Sequence, residues 1–288
     1  MPPMGNILSS EVSARRCIKH GTFEMVMEME GREARIDDIL SNSSYINFLT
    51  PLRLGPLNVI QQERLRALLK RAMSHCDRIA DIAANKPCEP IAHQWYQQLK
   101  ARRLEVFNLP LGFRLRDPST NLGARPLQLE YIKTLSAEDA AMVSYLLAAL
   151  AGGFCQATVD LAAADPLFPE RLIVFKESVL RHGSWFAWGY IHGGEAWKKM
   201  MVAIIYVGMI ELTSFELGVV EEDDEDGTMP PSLQAGLLAR FNELYPSDSE
   251  HGTQLYDVVK RLVKGTRVED ESGAGDAEGD AEGDENQE

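Results

Sequence analysis

The chain has 288 residues, of which 45% are hydrophobic and 25% are charged, so it can bury a substantial core and is not disordered throughout. Its formal net charge of −14 is concentrated in two acidic stretches, residues 221–226 and 268–288, and the remainder is close to neutral. This distribution argues against nucleic-acid binding, because phosphate contacts need clustered cations and an acidic tail competes with phosphate for them.

Cysteine usage and the N-terminal sequence predict an intracellular, cytoplasmic protein. The four cysteines are far apart and too few for a disulfide scaffold of this size, and the chain begins without a signal-peptide pattern. The nearest approach to a zinc site lacks the closely spaced ligand pairs that let a short loop wrap a tetrahedral ion; it consists of His75, Cys76, Cys88 and His93. No metal ion and no cofactor are therefore predicted.

The first half of the chain predicts a hairpin, two helices and a connector. In residues 22–36 Met alternates with mostly Glu, which predicts a short β-hairpin; an amphipathic helix is the alternative, because Met and Glu both favour helices. Apolar residues at intervals of three and four predict a long amphipathic helix over 57–84, and a second helix begins at Pro90. Residues 106–130, rich in Pro, Gly and Asn, are expected to form an irregular connector and a candidate sub-boundary.

A buried central helix is the next predicted element. Ser136, with acidic residues following it, is a helix start signal, and residues 140–159 carry no charge. That segment is long enough to cross a bilayer, but it is rich in Ala and Gly, and acidic residues rather than cations flank it. These features favour a core helix over a membrane span. A shorter apolar run at 200–210 is its predicted packing partner.

The C-terminal part predicts two further helices and a tail. Apolar residues at helical spacing indicate amphipathic helices over 232–245 and 249–264. The stretch 266–288 repeats Gly, Asp, Ala and Glu without a large apolar residue, so we expect a disordered acidic tail there.

The triplet Arg-His-Gly at 181–183 resembles the motif of the histidine phosphatase and phosphoglycerate mutase superfamily, in which the His takes the phosphoryl group. The resemblance covers five residues, from Val179 to Gly183, and implies an α/β fold with His182 as the phosphoryl acceptor. The chain departs from the motif at Trp185, where the family has a further Arg. A helix end explains the triplet better, because cations in a last turn and a following Gly are typical of helix C-termini.

An aromatic segment, SWFAWGYIHGGEAW, follows the triplet and supplies most of the candidate site residues. Its rings predict either core packing or an aromatic-lined pocket, and the sequence does not decide between the two. The candidate residues for binding a ligand or partner are Trp185, Trp188, Tyr190 and Trp197. The candidate residues for enzyme chemistry are His182, His192 and Glu195.

Taken in order, the predicted elements indicate an all-α, or nearly all-α, multi-helix globular domain over residues 21–265. A flexible N-terminus over residues 1–20 precedes it, and the disordered tail follows it. We expect a soluble interaction or regulatory protein that binds a protein partner or an apolar small molecule. No phosphate-binding loop, nucleophile elbow or metalloprotease motif is present in the sequence.

Two other functions stay open at this point. One is a small-molecule enzyme with a site around His182 and His192. The other is a membrane-associated protein that uses residues 140–159, and Gly5 would be a myristoylation site if translation began at Met4. The oligomeric state is not predicted by any pattern in the sequence.

Overall fold

Eight α-helices and no strand make up the secondary structure of the described residues, which confirms the all-α prediction. The computed structural model describes residues 23–42, 53–85, 124–157, 166–194, 205, 232–246 and 255–265. The helices are α1 (Phe23–Ser41), α2 (Val59–Asn85), α3 (Arg125–Lys133), α4 (Ala137–Ala157), α5 (Phe168–His182), α6 (Ser184–His192), α7 (Leu233–Leu244) and α8 (Leu255–Lys264).

The hairpin predicted for residues 22–36 is wrong, because α1 is one continuous helix across this stretch. Arg32 Nε lies 2.9 Å from Glu28 Oε1, one helical turn earlier, and Arg32 Nη1 lies 2.6 Å from Asp81 Oδ2 on α2. Met27 and Met29, two of the methionines whose alternation suggested a strand, are 52% and 49% exposed. The buried side of α1 follows later, at helical spacing: Ile36, Ile39 and Leu40.

Helix α4 is the buried centre of the fold, as the sequence predicts. The Ser136 hydroxyl oxygen caps it by accepting a hydrogen bond from the Asp139 N–H, at 3.1 Å. Side chains on all sides of the helix are buried, and it packs against α2, α5, α7 and α8. By length and composition Ala137–Gln156 is the one described helix that could cross a membrane: it has a mean hydropathy of 1.2, and 67% of its apolar 18-residue window is buried within the fold. A core helix meets the same criterion.

The connector predicted over 106–130 is wrong at its end, because α3 begins at Arg125. Pro126 lies in the first turn, where a missing N–H leaves no helical hydrogen bond unmade, so it starts the helix and does not break it. Gln128 Nε2 donates to the Ile79 carbonyl oxygen at 3.0 Å and fixes α3 against α2. All eight described helices contribute to one main buried cluster, so helices on both sides of 106–130 share a core.

Glu177 is a buried carboxylate that joins α5 to α3 and α7. Its two oxygens accept hydrogen bonds from the N–H groups of Leu233 and Gln234, at 3.1 and 3.0 Å, and so cap the start of α7. Its Oε1 also lies 3.2 Å from both Arg125 Nη1 and Arg181 Nε. Burial opposes ionisation of Glu177, but the two arginine charges and the two N–H donors outweigh it and lower its pKa below the usual value.

The remaining helix predictions are confirmed where the structure describes them. The helices predicted over 57–84, 232–245 and 249–264 are α2, α7 and α8. Of the run 200–210 only Ile205 is described, and it is helical and buried. Three further predictions lie outside the described residues: the helix from Pro90, the N-terminus 1–20 and the tail 266–288.

Candidate functional site

The Arg-His-Gly triplet ends α5 and leads directly into α6. Gly183 has φ 65° and ψ −149°, a backbone conformation that is essentially restricted to glycine, and its N–H donates to the Val179 carbonyl oxygen at 2.8 Å. A Cβ at this position would collide with the Asp77 carboxylate and lie 2.9 Å from Asp77 Cα. The triplet is therefore a helix terminus pressed against α2. The described residues contain no strand, so they lack the α/β setting that the phosphatase resemblance implies.

Asp77 of α2 caps the first turn of α6. Its side chain is buried and accepts hydrogen bonds from the Ser184 N–H at 2.8 Å and from the Ser184 hydroxyl, which lies 2.8 Å from Oδ2. The nearby Arg32 guanidinium supplies a compensating charge. Burial disfavours the charged form of Arg32, but Asp81, Glu28 and Asp77 outweigh this effect and raise its pKa above the ordinary value.

His182, the candidate phosphoryl acceptor, lies in the core. It is 8% exposed, and its ring centroid lies 5.9 Å from that of Phe186 and 6.1 Å from that of Trp185. Trp185 itself is 5% exposed, and Phe186 is fully buried. Here the rings fill the space between α5 and α6, which is the packing alternative that the sequence left open.

Five aromatic rings form a continuous cluster that joins α4, α5 and α6. Phe154 lies at the centre, with its ring centroid 4.7 Å from that of Phe175, 5.3 Å from Tyr190 and 5.8 Å from Phe168. Phe175 also contacts Phe186 at 5.6 Å. Phe154, Phe175 and Phe186 are buried, whereas Phe168 and Tyr190 are half-buried. We call these two half-buried rings the aromatic rim.

The other side of α6 contacts α1. Trp188 is half-buried, and its indole Nε1 donates to Asp38 Oδ2 at 3.2 Å. His192 is exposed; its Nε2 lies 3.2 Å from the Asp38 carbonyl oxygen, and its ring stacks on Trp188 at 6.1 Å. The polar atom of Trp188 is therefore already bonded within the fold, and its ring is covered on one face.

Two titratable groups lie beside the aromatic cluster, at the interface of α4 and α5. Burial lowers the pKa of Lys176 more than the neighbouring Cys155 raises it, and this enlarges the neutral amine fraction. Burial likewise raises the pKa of Cys155, so this thiol is protonated at neutral pH. Cys155 therefore lacks the lowered pKa that is typical of an activated thiolate.

The structure separates the two candidate catalytic histidines. His182 is the last residue of α5 and His192 is the last residue of α6, so eight residues of α6 lie between them. At about 1.5 Å of rise per residue, α6 is roughly 13 Å long. The two rings contact different neighbours: His182 packs on Phe186, and His192 stacks on Trp188. Glu195, Trp197 and Gly5 lie outside the described residues.

Sequence reasoning missed the partners that organise this region. Phe154 lies in the uncharged stretch 140–159 that predicts a core helix, and that pattern does carry a signal for burial. Asp38 and Asp77 carry no such signal, because each is an ordinary acidic residue on a helix and its bonding partner lies more than a hundred residues away.

Comparison with protein-family models, curated proteins and solved structures finds no match to this chain. Among the described residues, no group of three or more His, Cys, Asp and Glu side chains could hold a metal ion.

Proposed function

We propose that this chain is a helical interaction protein that binds an apolar segment of a protein partner, or an apolar small molecule, at the aromatic rim. The observation that carries the proposal is the continuous ring cluster: buried Phe154 and Phe175 support the half-buried rings of Phe168 and Tyr190. Leu167, the residue before Phe168, adds an apolar side chain that is 50% exposed.

The packing of the rim rings on buried rings favours binding at the rim. Rings held by neighbouring rings have few accessible rotamers left, so a partner that contacts them loses little conformational entropy. Aromatic side chains also dominate the binding energy of protein interfaces, because each buries a large area. The rim thus offers a preorganised apolar contact of modest size.

The compartment that we propose is the reducing interior of the cell. Both cysteines in the described part of the chain, Cys76 and Cys155, are free thiols, and burial raises the pKa of each. In this proposal the acidic stretches of the sequence maintain solubility or contact basic partners. The membrane-associated alternative is less favoured, because a spanning α4 would have to leave its contacts with four other helices.

A site-specific crosslink tests for a protein partner. Phe168 is replaced by p-benzoylphenylalanine in the intact chain, and the same replacement at Leu238, which is 59% exposed on α7, is the matched control. We expect irradiation in cells to yield a discrete adduct from position 168 and none of the same mass from position 238.

Dye binding tests for a small apolar ligand. Anilinonaphthalene sulfonate is titrated into the purified chain, into Phe168→Ala and into Leu238→Ala. We expect the Phe168 variant alone to lose affinity, by at least about tenfold, because an aromatic contact is removed. A selective dye effect without a crosslink assigns a small molecule. Equal dye binding by all three proteins, with no crosslink, contradicts the proposal.

A further inference from the structure

A second cluster of polar side chains joins α2, α3 and α4, away from the aromatic rim. His75 of α2 lies at its centre: Nδ1 is 2.7 Å from the Tyr131 hydroxyl, and Nε2 is 3.3 Å from Asp139 Oδ1. All three side chains are half-buried. The arrangement fits the imidazole tautomer with a proton on Nε2, so that Nδ1 accepts from the phenol and the carboxylate holds the opposite side of the ring.

Asp139 is fixed in place and charged. Its Oδ2 accepts from the Ser136 hydroxyl at 2.7 Å, and its Oδ1 lies 2.5 Å from Arg71 Nε. Burial opposes its ionisation, but Ser136, Arg71 and His75 together lower its pKa below the usual value. A carboxylate held in this way orients an imidazole and stabilises the imidazolium that forms when the ring takes a proton.

Arg78 places a cation beside the tyrosine. Its guanidinium carbon lies 5.6 Å from the Tyr131 ring centroid, less than one helical turn beyond His75 on α2. Within the described residues Arg78 forms no ion pair with a carboxylate. Burial raises the pKa of Tyr131 more than the charge of Arg78 lowers it, so the hydroxyl is protonated at neutral pH and can donate to His75.

We propose that Tyr131 is a nucleophile that accepts an acyl group from a carboxylic ester. His75 acts as the base, Asp139 as the positioning residue that orients His75, and Arg78 as the cation that stabilises the oxyanion. The Tyr131 hydroxyl is hydrogen-bonded to His75, and the Asp139 carboxylate lies within ion-pair distance of the opposite side of the ring. A hydroxyl, an imidazole and a carboxylate in this order are the groups that acyl transfer uses, and such a site is recognised by geometry and role. The activity is separate from the binding proposed for the aromatic rim.

Hydrolysis of the ester at this site needs no reagent other than water. The Tyr131 oxygen attacks the ester carbonyl carbon while its proton passes to His75 Nδ1, and the carbonyl oxygen becomes an oxyanion near Arg78. The oxyanion collapses, the bond to the alcohol portion breaks, and His75 returns the proton to that leaving oxygen. Water then attacks the tyrosyl ester with His75 as base, which releases the acid and restores Tyr131. A phenol leaves more readily than an aliphatic alcohol, so the first step requires an ester whose alcohol portion is itself a phenol, as in p-nitrophenyl acetate. The same property of the tyrosyl ester favours the second step.

The experiment uses p-nitrophenyl acetate with the intact chain and records p-nitrophenol release. We expect an initial burst, and peptide mapping of the quenched wild-type protein should place one acetyl group on Tyr131. This mapping needs no variant, so it stands even where a substitution unfolds the chain. Acetyl groups on lysines or on other tyrosines in place of Tyr131 would overturn the proposal.

Variants then assign the roles. Tyr131→Phe keeps the ring under Arg78 and should abolish the burst, whereas Tyr256→Phe should not. Tyr256 is the matched control because Arg53 lies over its ring, at 4.8 Å, while no histidine contacts it among the described residues. His75→Gln should slow acetylation of Tyr131 by about a hundredfold. An unchanged rate in that variant would overturn the role of His75. Asp139→Asn should slow acetylation, and Asp139→Glu should restore part of the rate; equal rates in the two would contradict a positioning role.

Discussion

The carboxylate of Asp77 on α2 caps helix α6 through two groups of Ser184, a residue 107 positions later in the sequence. Because the acceptor comes from another helix, the cap is also a tertiary contact. It fixes the α5–α6 junction against α2, and so sets where the aromatic rings of α6 lie.

Replacing Ser184 with Ala should destabilise the fold by about 2 kcal/mol, because a buried carboxylate loses one of its hydrogen-bond donors. The free energy of unfolding from urea titration measures this. Ser74→Ala is the matched control, since its hydroxyl bonds only the Lys70 carbonyl oxygen at the surface, and it should change stability by less than about 0.5 kcal/mol. Equal effects of the two substitutions would contradict the proposed importance of the cap.

Gly183→Ala should destabilise the fold by about 3 kcal/mol, since the new Cβ meets Asp77 in a backbone conformation that other residues rarely adopt. Variants at two other glycines separate the effect of backbone strain from the effect of the contact with Asp77. Gly55 has φ 75° and open space around it, so Gly55→Ala should show backbone strain alone, at about 1 kcal/mol. Gly194 has neither feature, and Gly194→Ala should be close to neutral. Thermal or urea unfolding of the three variants should give this order of stability, and any other order counts against the close contact with α2.

Local spacing was enough to predict most of the helices. The apolar stripes of α2, α7 and α8 and the uncharged run of α4 repeat at a helical period, and that period is a property of neighbouring residues. In α1 the alternation of Met and Glu was compatible with a strand and with a helix. The choice between strand and helix depends in part on Arg32, whose partner Asp81 is 49 residues away and belongs to α2. No local pattern contains that contact.

In the candidate sites, too, some features follow from neighbouring residues in the sequence and others depend on contacts between distant residues. Gly183 was predicted as a helix end because the last-turn cations and the glycine are adjacent in sequence. His75 and Tyr131 are 56 residues apart, and each alone resembles an ordinary polar residue on an amphipathic helix. Their proximity arises only when α3 packs against α2. Motif searches depend on fixed spacing, so they do not find sites assembled in this way.

Cys76 should resist alkylation in the folded protein. Its thiol is fully buried in the core, and burial raises its pKa well above the usual value, so almost no thiolate forms. Treatment with iodoacetamide followed by peptide mapping should show Cys155, which is partly exposed, modified before Cys76. Adding urea should make the two react at similar rates. Rapid labelling of Cys76 in native buffer would mean that α2 leaves the core easily.

Glu177→Gln should destabilise the fold by about 3 kcal/mol at neutral pH, because the substitution removes a buried charge that lies 3.2 Å from the buried Arg125 guanidinium. The folded-state pKa of Glu177 lies below the ordinary value of 4.5. Its charge therefore contributes stability that is fully present above the unfolded-state pKa and is lost as the pH falls through the folded-state pKa. The stability difference between wild type and variant should consequently shrink under acidic conditions.

Urea unfolding at neutral pH and below about pH 4 tests this, with the pH range set by the ordinary carboxyl pKa. Glu243→Gln is the control: Glu243 also pairs with an arginine, Arg240 at 3.0 Å, but its side chain is 67% exposed. Solvent screens that pair, so the control should change stability by less than about 0.5 kcal/mol at either pH. A Glu177 effect that is the same at both pH values would show that the side chain acts by its shape and hydrogen bonds, since a contribution from its charge must disappear once the carboxyl group is protonated.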